Sequence, residues 1–192
     1  MVDFEVPKRM WRKNRNDGVF CQTNTGHRYN VIGVDLNRNF PAFSKDGDTI
    51  NTITNNTIGI SDAGISTGSG ECGDTYNGGT HAISEPETKT VQEYIRSIKA
   101  DSGVIAAVDV HCYSEIFFIP DNLEAFGFGR DKEVMVEIGE AMARAVSKVD
   151  PSSDYLTLPP LEYPPRSIDP RGDIMDYWFY GEGKLISILF CF

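Results

Sequence analysis

Two stretches of the 192-residue chain carry side chains suited to chemistry. In VDLNRNF, Asn37 and Arg38 follow the short apolar run 31–34. An amide beside a guanidinium, presented where a strand ends, suits a carboxylate held by charge-assisted bidentate hydrogen bonds. The same residue types are common at ordinary strand exits, and Arg38 paired with Asp35 would simply stabilise a loop. The second stretch ends on His111, at the carboxyl end of the apolar run 104–110. Ligands of open α/β sheets bind beyond such strand ends, which suits an imidazole acting as metal ligand or base. A half-buried histidine bonded to a backbone carbonyl is the plainer alternative. His27 and His81 fall in polar loops and read as solvated. Arg12, next to Trp11 in the basic cluster 8–15, offers donors for a carboxylate or a developing oxyanion, or is solvated on the surface.

A frame of strands and helices must position these groups. Residues 104–110 are rich in Val and Ala, which predicts a strand buried on both faces, and 185–190 predicts a second interior strand. Shorter strands are expected at 31–34 and 116–119. Ser84-Glu85-Pro86-Glu87 reads as a helix start, with Ser84 as cap and Glu87 completing a capping box. Val91, Tyr94, Ile95 and Ile98 then give one apolar face. A second helix from Asp131 places Val134, Ile138, Met142 and Ala145 on one stripe, ending near Val149. Residues 150–170 are proline-rich and predict a loop. Residues 172–180 predict a short helix with Asp173 and Asp176 near its start. Strands alternating with helices predict an α/β fold: a mixed, largely parallel central sheet with helices on both faces, in one domain over residues 1–192.

Composition excludes several classes. The formal net charge is −10, so nucleic acid is not an expected partner. No apolar run approaches the ~20 residues of a membrane span, and no membrane association is expected. The amino terminus shows no signal-peptide pattern. The four cysteines lack CxxC spacing, which argues against a zinc knuckle. Cys21 and Cys72 lie in polar surroundings where a loop-stapling disulfide is expected, and it would pin the long Gly/Ser/Thr/Asn-rich segment 41–79. Cys112 and Cys191 lie in apolar runs and read as buried free thiols. Asn55-Asn56-Thr57 is a glycosylation triplet.

KRMWRKNR, VIGVDLNRNF, ECGDTYNGGTHAISEPETK and VDVHCYSEIFFIP occur in this order, and together they resemble the zinc metallocarboxypeptidases of the carboxypeptidase A/B family. The resemblance covers most of residues 9–120. It implies that Arg12 stabilises the oxyanion and that Asn37 and Arg38 clamp the free α-carboxylate of a peptide. It further implies that Tyr113 lines a substrate subsite and that His111 is one of three protein ligands of a catalytic zinc. Met175 aligns with the residue that sets side-chain preference at the pocket floor, and an apolar residue there implies apolar or aromatic carboxy-terminal side chains. The implied partner is a peptide or protein with a free carboxy-terminus, and the implied molecule is a monomer of an extracellular, secretory or lysosomal compartment.

The chain departs from the family pattern in three places. It has no HxxE, the source of the other two zinc ligands. The position of the general-base glutamate falls on Cys191, and no tyrosine occupies 169–172, where the family's mobile tyrosine is expected. The expectation is an incomplete copy of a larger enzyme, inactive alone and weak in zinc binding. The alternative is a carboxypeptidase-like module that binds peptide carboxy-termini without hydrolysis. A cysteine-based activity of Cys191 with His111 lacks an orienting partner.

Overall fold

The run ISILFC is the axis of the sheet. In the computed structural model, which describes residues 12–22, 28–41, 78–79, 82–112, 114–120, 123, 126–162, 173–183 and 185–191, the strands are β1 (Val19–Gln22), β2 (Arg28–Val31), β3 (Ala106–His111), β4 (Ile116–Phe118), β5 (Leu156–Leu158) and β6 (Ile186–Cys191). The main sheet has the order β3-β6-β4-β5, and β1 and β2 form a separate antiparallel pair. β3 runs parallel to β6 in the register Ala106↔Ile186 to His111↔Cys191, which brings the histidine and the cysteine side by side at the strand ends. β4 is antiparallel to β6 and parallel to β5. The β4–β6 register is fixed by aromatic pairing: Phe117 lies opposite Phe190 with ring centroids 4.9 Å apart, and Tyr155 packs on both. Such ring pairs contribute about 0.5–1.5 kcal/mol beyond their buried area.

Helices cover both faces. Helix α1 (Pro86–Asp101) buries Ile95 against Phe40, Tyr177, Trp178 and Leu185. Helix α2 (Gly129–Ser147) buries Met135 against Ile119, Leu123 and Phe179, with Ile186 packed on that cluster. Leu185 and Ile186 are neighbours in an extended chain and point to opposite sides, so the two clusters lie on opposite faces. Helix α3 (Ile174–Asp176) continues into a π-turn at Tyr177–Gly181 and sets Met175 on Leu189 and Cys191. The expected α/β architecture is therefore present.

Several local expectations need correction. β3 is the edge of the main sheet among the described residues, with Val108 49% and Val110 58% exposed, so residues 104–110 are not buried on both faces. A run of valines satisfies a parallel partner on one side without requiring cover on its outer face. The expected strand at 31–34 stops at Val31, because Gly33 adopts φ +83°. A Cβ at residue 33 would meet the carbonyl oxygen of Asn14 at 2.3 Å, so only glycine lets the two segments approach. Helix α1 starts at Pro86 with Glu85 as N-cap and no side-chain cap bond, since Ser84 Oγ is used elsewhere. The buried stripe of α2 is Met135 and Gly139; Val134 is exposed, one position round from the expected face. Gly139 sits against Thr157, which lets the helix lie close on β5. β5 itself, three residues in a proline-rich segment, was expected to be loop.

Candidate functional site

Asp35 organises the turn that carries Asn37 and Arg38. It is almost fully buried and caps the 3-10 turn Leu36–Arg38, its Oδ1 accepting the Asn37 backbone N–H at 3.2 Å. Its Oδ2 accepts from Arg12 Nε at 2.8 Å, with the Arg12 side chain about one-third exposed. The Asp35 carboxylate thus joins Arg12 to the turn, and its carbonyl accepts the Arg38 N–H at 2.9 Å. Arg38 folds back so that Nη1 donates to the carbonyl of Asn37 at 2.6 Å. The Asn37 amide bridges two elements: Oδ1 accepts the Ile174 N–H at 2.9 Å, and Nδ2 lies 3.4 Å from His111 Nε2. An open depression of about 220 Å³ lies between the turn, the first turns of α1 and the end of β3, with Asn37, Phe40, Val91, Asp109 and His111 among its lining.

His111 Nε2 is 2.6 Å from Asp109 Oδ2. Alternation along β3 places residues 109 and 111 on one face, so the pairing was legible in VDVH, but Asp109 was overlooked. Asp173, expected near the start of the short helix at 172–180, is found there, but its place beside the site was not read from the sequence. It is fully buried at the N-cap of α3, where its Oδ1 accepts the Asp176 N–H at 2.8 Å. Burial pushes its carboxyl up to about 6, against the Asp176 amide and the Arg38 guanidinium, which pull it down. Cys191, a free and buried thiol, is likewise pushed up by burial. Cys112 is free but exposed, contrary to expectation, because β3 ends at His111 and no element covers the next side chain among the described residues.

The structure therefore brings Asn37 beside His111 in the lining of the depression, while Arg12 is tied to the same turn through Asp35 and Arg38 folds back onto it. Met175 lies next to Ile174, fully buried on Leu189 and Cys191 and with no surface open to a ligand. Tyr113, Cys72 and the segment 42–77 lie outside the described residues, as does the side chain of Cys21, so the Cys21–Cys72 pairing does too. Among the described residues no three His, Cys, Asp or Glu side chains form a group that could hold a metal ion. His111 Nε2 is moreover engaged by Asp109. These residues alone do not fit a zinc ion. No helix among them is long and apolar enough to cross a membrane.

Comparison with known proteins identifies the family and the fold. The chain is 31% identical over 145 residues to a metallocarboxypeptidase A-like protein of Trichophyton verrucosum, covering 76% of this chain and 28% of that protein. It is 29% identical over 145 residues to carboxypeptidase O of Homo sapiens, covering 72% of this chain and 29% of the relative. It thus spans little more than a quarter of the length of these relatives. The crystal structure of thrombin activatable fibrinolysis inhibitor superposes with a TM-score of 0.63 at 23% identity, covering 96% of this chain and 38% of that one, a likeness of fold. The zinc carboxypeptidase family, peptidase M14, matches residues 4–190, and the chain belongs to that family.

Proposed function

We propose that this chain supplies the carboxylate-recognising wall of a metallocarboxypeptidase that releases carboxy-terminal residues from peptides and proteins, residues 1–192 forming part of its catalytic domain. The observation that carries this reading is the turn Leu36–Arg38, capped by a buried Asp35 and tied to both α3 and the end of β3. Arg38 supplies the charge for a peptide's free α-carboxylate, and Asn37 supplies the adjacent amide. Arg12 is aimed from the same carboxylate hub toward the neighbouring carbonyl. Met175 backs the side-chain subsite through the apolar layer it forms with Leu189, a subsite for apolar or aromatic residues, and Tyr113 lines it. Zinc is the cofactor the family implies, with His111 as one ligand, and the protein acts as a monomer in a secretory or extracellular compartment.

A second reading, a module that binds peptide carboxy-termini without hydrolysis, is favoured by Cys191. It stands in register with His111, where the family resemblance calls for a glutamate base. One experiment separates the readings and tests the clamp. The 192-residue chain, with zinc in the buffer, is titrated with an acetylated peptide ending in a free Phe carboxylate and with its carboxamide, and released Phe is assayed. Arg38→Ala is expected to weaken acid-peptide binding roughly ten- to a hundred-fold, the equivalent of one lost charge-assisted contact, and to leave the carboxamide unchanged. Equal losses for both peptides would remove the clamp. Release of Phe by the wild-type chain would select the enzyme reading; binding without release, which an incomplete chain gives under either reading, tests the clamp alone.

A further inference from the structure

Glu85 is 2% exposed. A buried carboxylate is costly unless its lone pairs are met. Here they are met by two side chains from a distant segment and by the preceding serine. Oε2 accepts Asn14 Nδ2 at 2.7 Å and Asn16 Nδ2 at 2.9 Å, and Oε1 accepts Ser84 Oγ at 2.7 Å. Asn39, fully buried, adds the second tie. Its Nδ2 donates to the Gly78 carbonyl at 2.8 Å and to Ser84 Oγ at 2.9 Å. Its Oδ1 accepts Thr88 Oγ1 at 2.6 Å and the Glu85 N–H at 3.2 Å. Asn14 is also bound to the far side of the clamp turn, its Oδ1 accepting the Val34 N–H at 2.8 Å. The chain tolerates a left-handed Ile83, φ +57°, whose N–H donates to the Asn39 carbonyl at 2.6 Å. A β-branched residue in that conformation persists only where surrounding bonds over-determine it.

Arg12 is two residues from Asn14, and Arg38 is one residue from Asn39. The segments that carry the two guanidinium groups therefore meet on one carboxylate and one amide. We propose that Glu85 is a positioning residue for the clamp: with Asn39 it fixes the spacing between Arg12 and the Asn37–Arg38 pair, without touching the peptide. This inference rests on the clamp reading above. A carboxylate is required because every bond reaching it comes from a donor. Asn16 Nδ2 also reaches Oε1, at 3.1 Å, so a glutamine at 85 would turn an N–H₂ group against the amide of Asn14 or Asn16 in either orientation. One of those residues would then shift, and a shift near 1 Å is enough to spoil bidentate geometry.

The test uses the 192-residue chain, calorimetric titration with the matched acid and carboxamide peptides, and a thermal melt of every variant. Glu85→Gln is expected to weaken acid-peptide binding about tenfold while the carboxamide is unaffected. Ser84→Ala keeps the charge and removes one donor, and should act in the same direction by about threefold. Exchange of the pair, Asn16→Asp with Glu85→Gln, restores a carboxylate–amide contact with its sense reversed and should recover most of the acid preference. A residue that only holds the fold together would lower the melting temperature and weaken both peptides alike, which would overturn the proposal. Retention of the acid preference by a folded Glu85→Gln would overturn it too while leaving the clamp intact. Should Glu85→Gln fail to fold, Ser84→Ala and the exchanged pair decide by the same criterion. No acid preference in the wild-type chain would bring down the clamp reading and this inference together.

Discussion

Around Asn37 and Arg38 the chain is held by buried polar side chains, whereas the strand that carries His111 is bare on its outer face. Asp35, Asn39 and Glu85 are each at most 3% exposed, and each binds a segment distant in sequence. On β3, by contrast, Val108 and Val110 are about half exposed, and its neighbour β6 secures it on one side. One wall of the site is defined by hydrogen bonds made within this chain. The other rests on the pairing of β3 with β6, on the packing of Val104 and Ala107 against the core under α1, and on the contacts of His111 with Asp109 and Asn37. In the proposed function, recognition of a carboxylate uses the first wall and chemistry on the adjacent bond the second. The difference locates what this chain does well: it fixes donors in space.

The largest effect expected from this contrast is at Gly79. Its φ is +89°, and a Cβ there would lie 2.6 Å from Ser84 Oγ and 2.9 Å from Asn39 Nδ2. Gly79→Ala should cost about 3 kcal/mol or more in urea denaturation, combining left-handed strain with broken buried hydrogen bonds. Gly103 has φ +72° and nothing within 4 Å of a built Cβ. Gly103→Ala should cost only about 1 kcal/mol, from strain alone. Equal costs would mean that the clamp wall is no more tightly built than a helix end.

How far the sequence reveals this arrangement follows from the range of the interactions. Register and layer order rest on apolar runs, so β6, β4 and α1 are legible from periodicity. The residues of the proposed clamp are legible from a motif. The polar lock behind them is not, because Asn14, Asn16, Asn39 and Glu85 look like ordinary loop and cap residues until three segments meet. The helix start shows the same limit. Ser84 carries the sequence signature of a cap, yet its hydroxyl bonds to Glu85 and Asn39, since burial of Glu85 makes the stronger demand on donors. Edge or interior placement of β3 depends on what lies beside it, which its own residues do not specify.

An intermediate effect is expected where the two walls meet. Asp173 faces the Arg38 guanidinium as well as Asp109 and His111, and burial raises it from 3.8 to about 6. The folded protein therefore binds this proton more tightly than the unfolded chain does. Its contribution to stability is complete below 3.8 and is lost as the pH rises through about 6. Thermal melts between these limits should fall with rising pH for the wild type, by no more than about 3 kcal/mol in stability. Asp173→Asn, which keeps an oxygen to cap α3, should flatten that fall. Arg38→Ala removes a partner of the ionised form and should carry the loss to higher pH. An unchanged slope in Asp173→Asn would show that the carboxylate is not confined between the walls.

The smallest effect tests the bare outer face of β3, the face opposite His111. Val108 and Ile188 are register partners in the same row of the sheet, one 49% and the other 2% exposed. Val108→Thr swaps a methyl for a hydroxyl with almost no change of shape and keeps a β-branched residue in the strand. On a face open to water the hydroxyl keeps its hydration, and the cost should stay within about 0.5 kcal/mol. On a covered face the same hydroxyl would be buried without a partner and would cost roughly 1–3 kcal/mol. Ile188→Val, which removes one methylene from the buried partner, should cost about 1 kcal/mol and calibrates the pair. Urea midpoints for the two variants give the order directly. If Val108→Thr proved the more damaging of the two, the outer face of β3, opposite the one that carries Asp109 and His111, would be covered in solution.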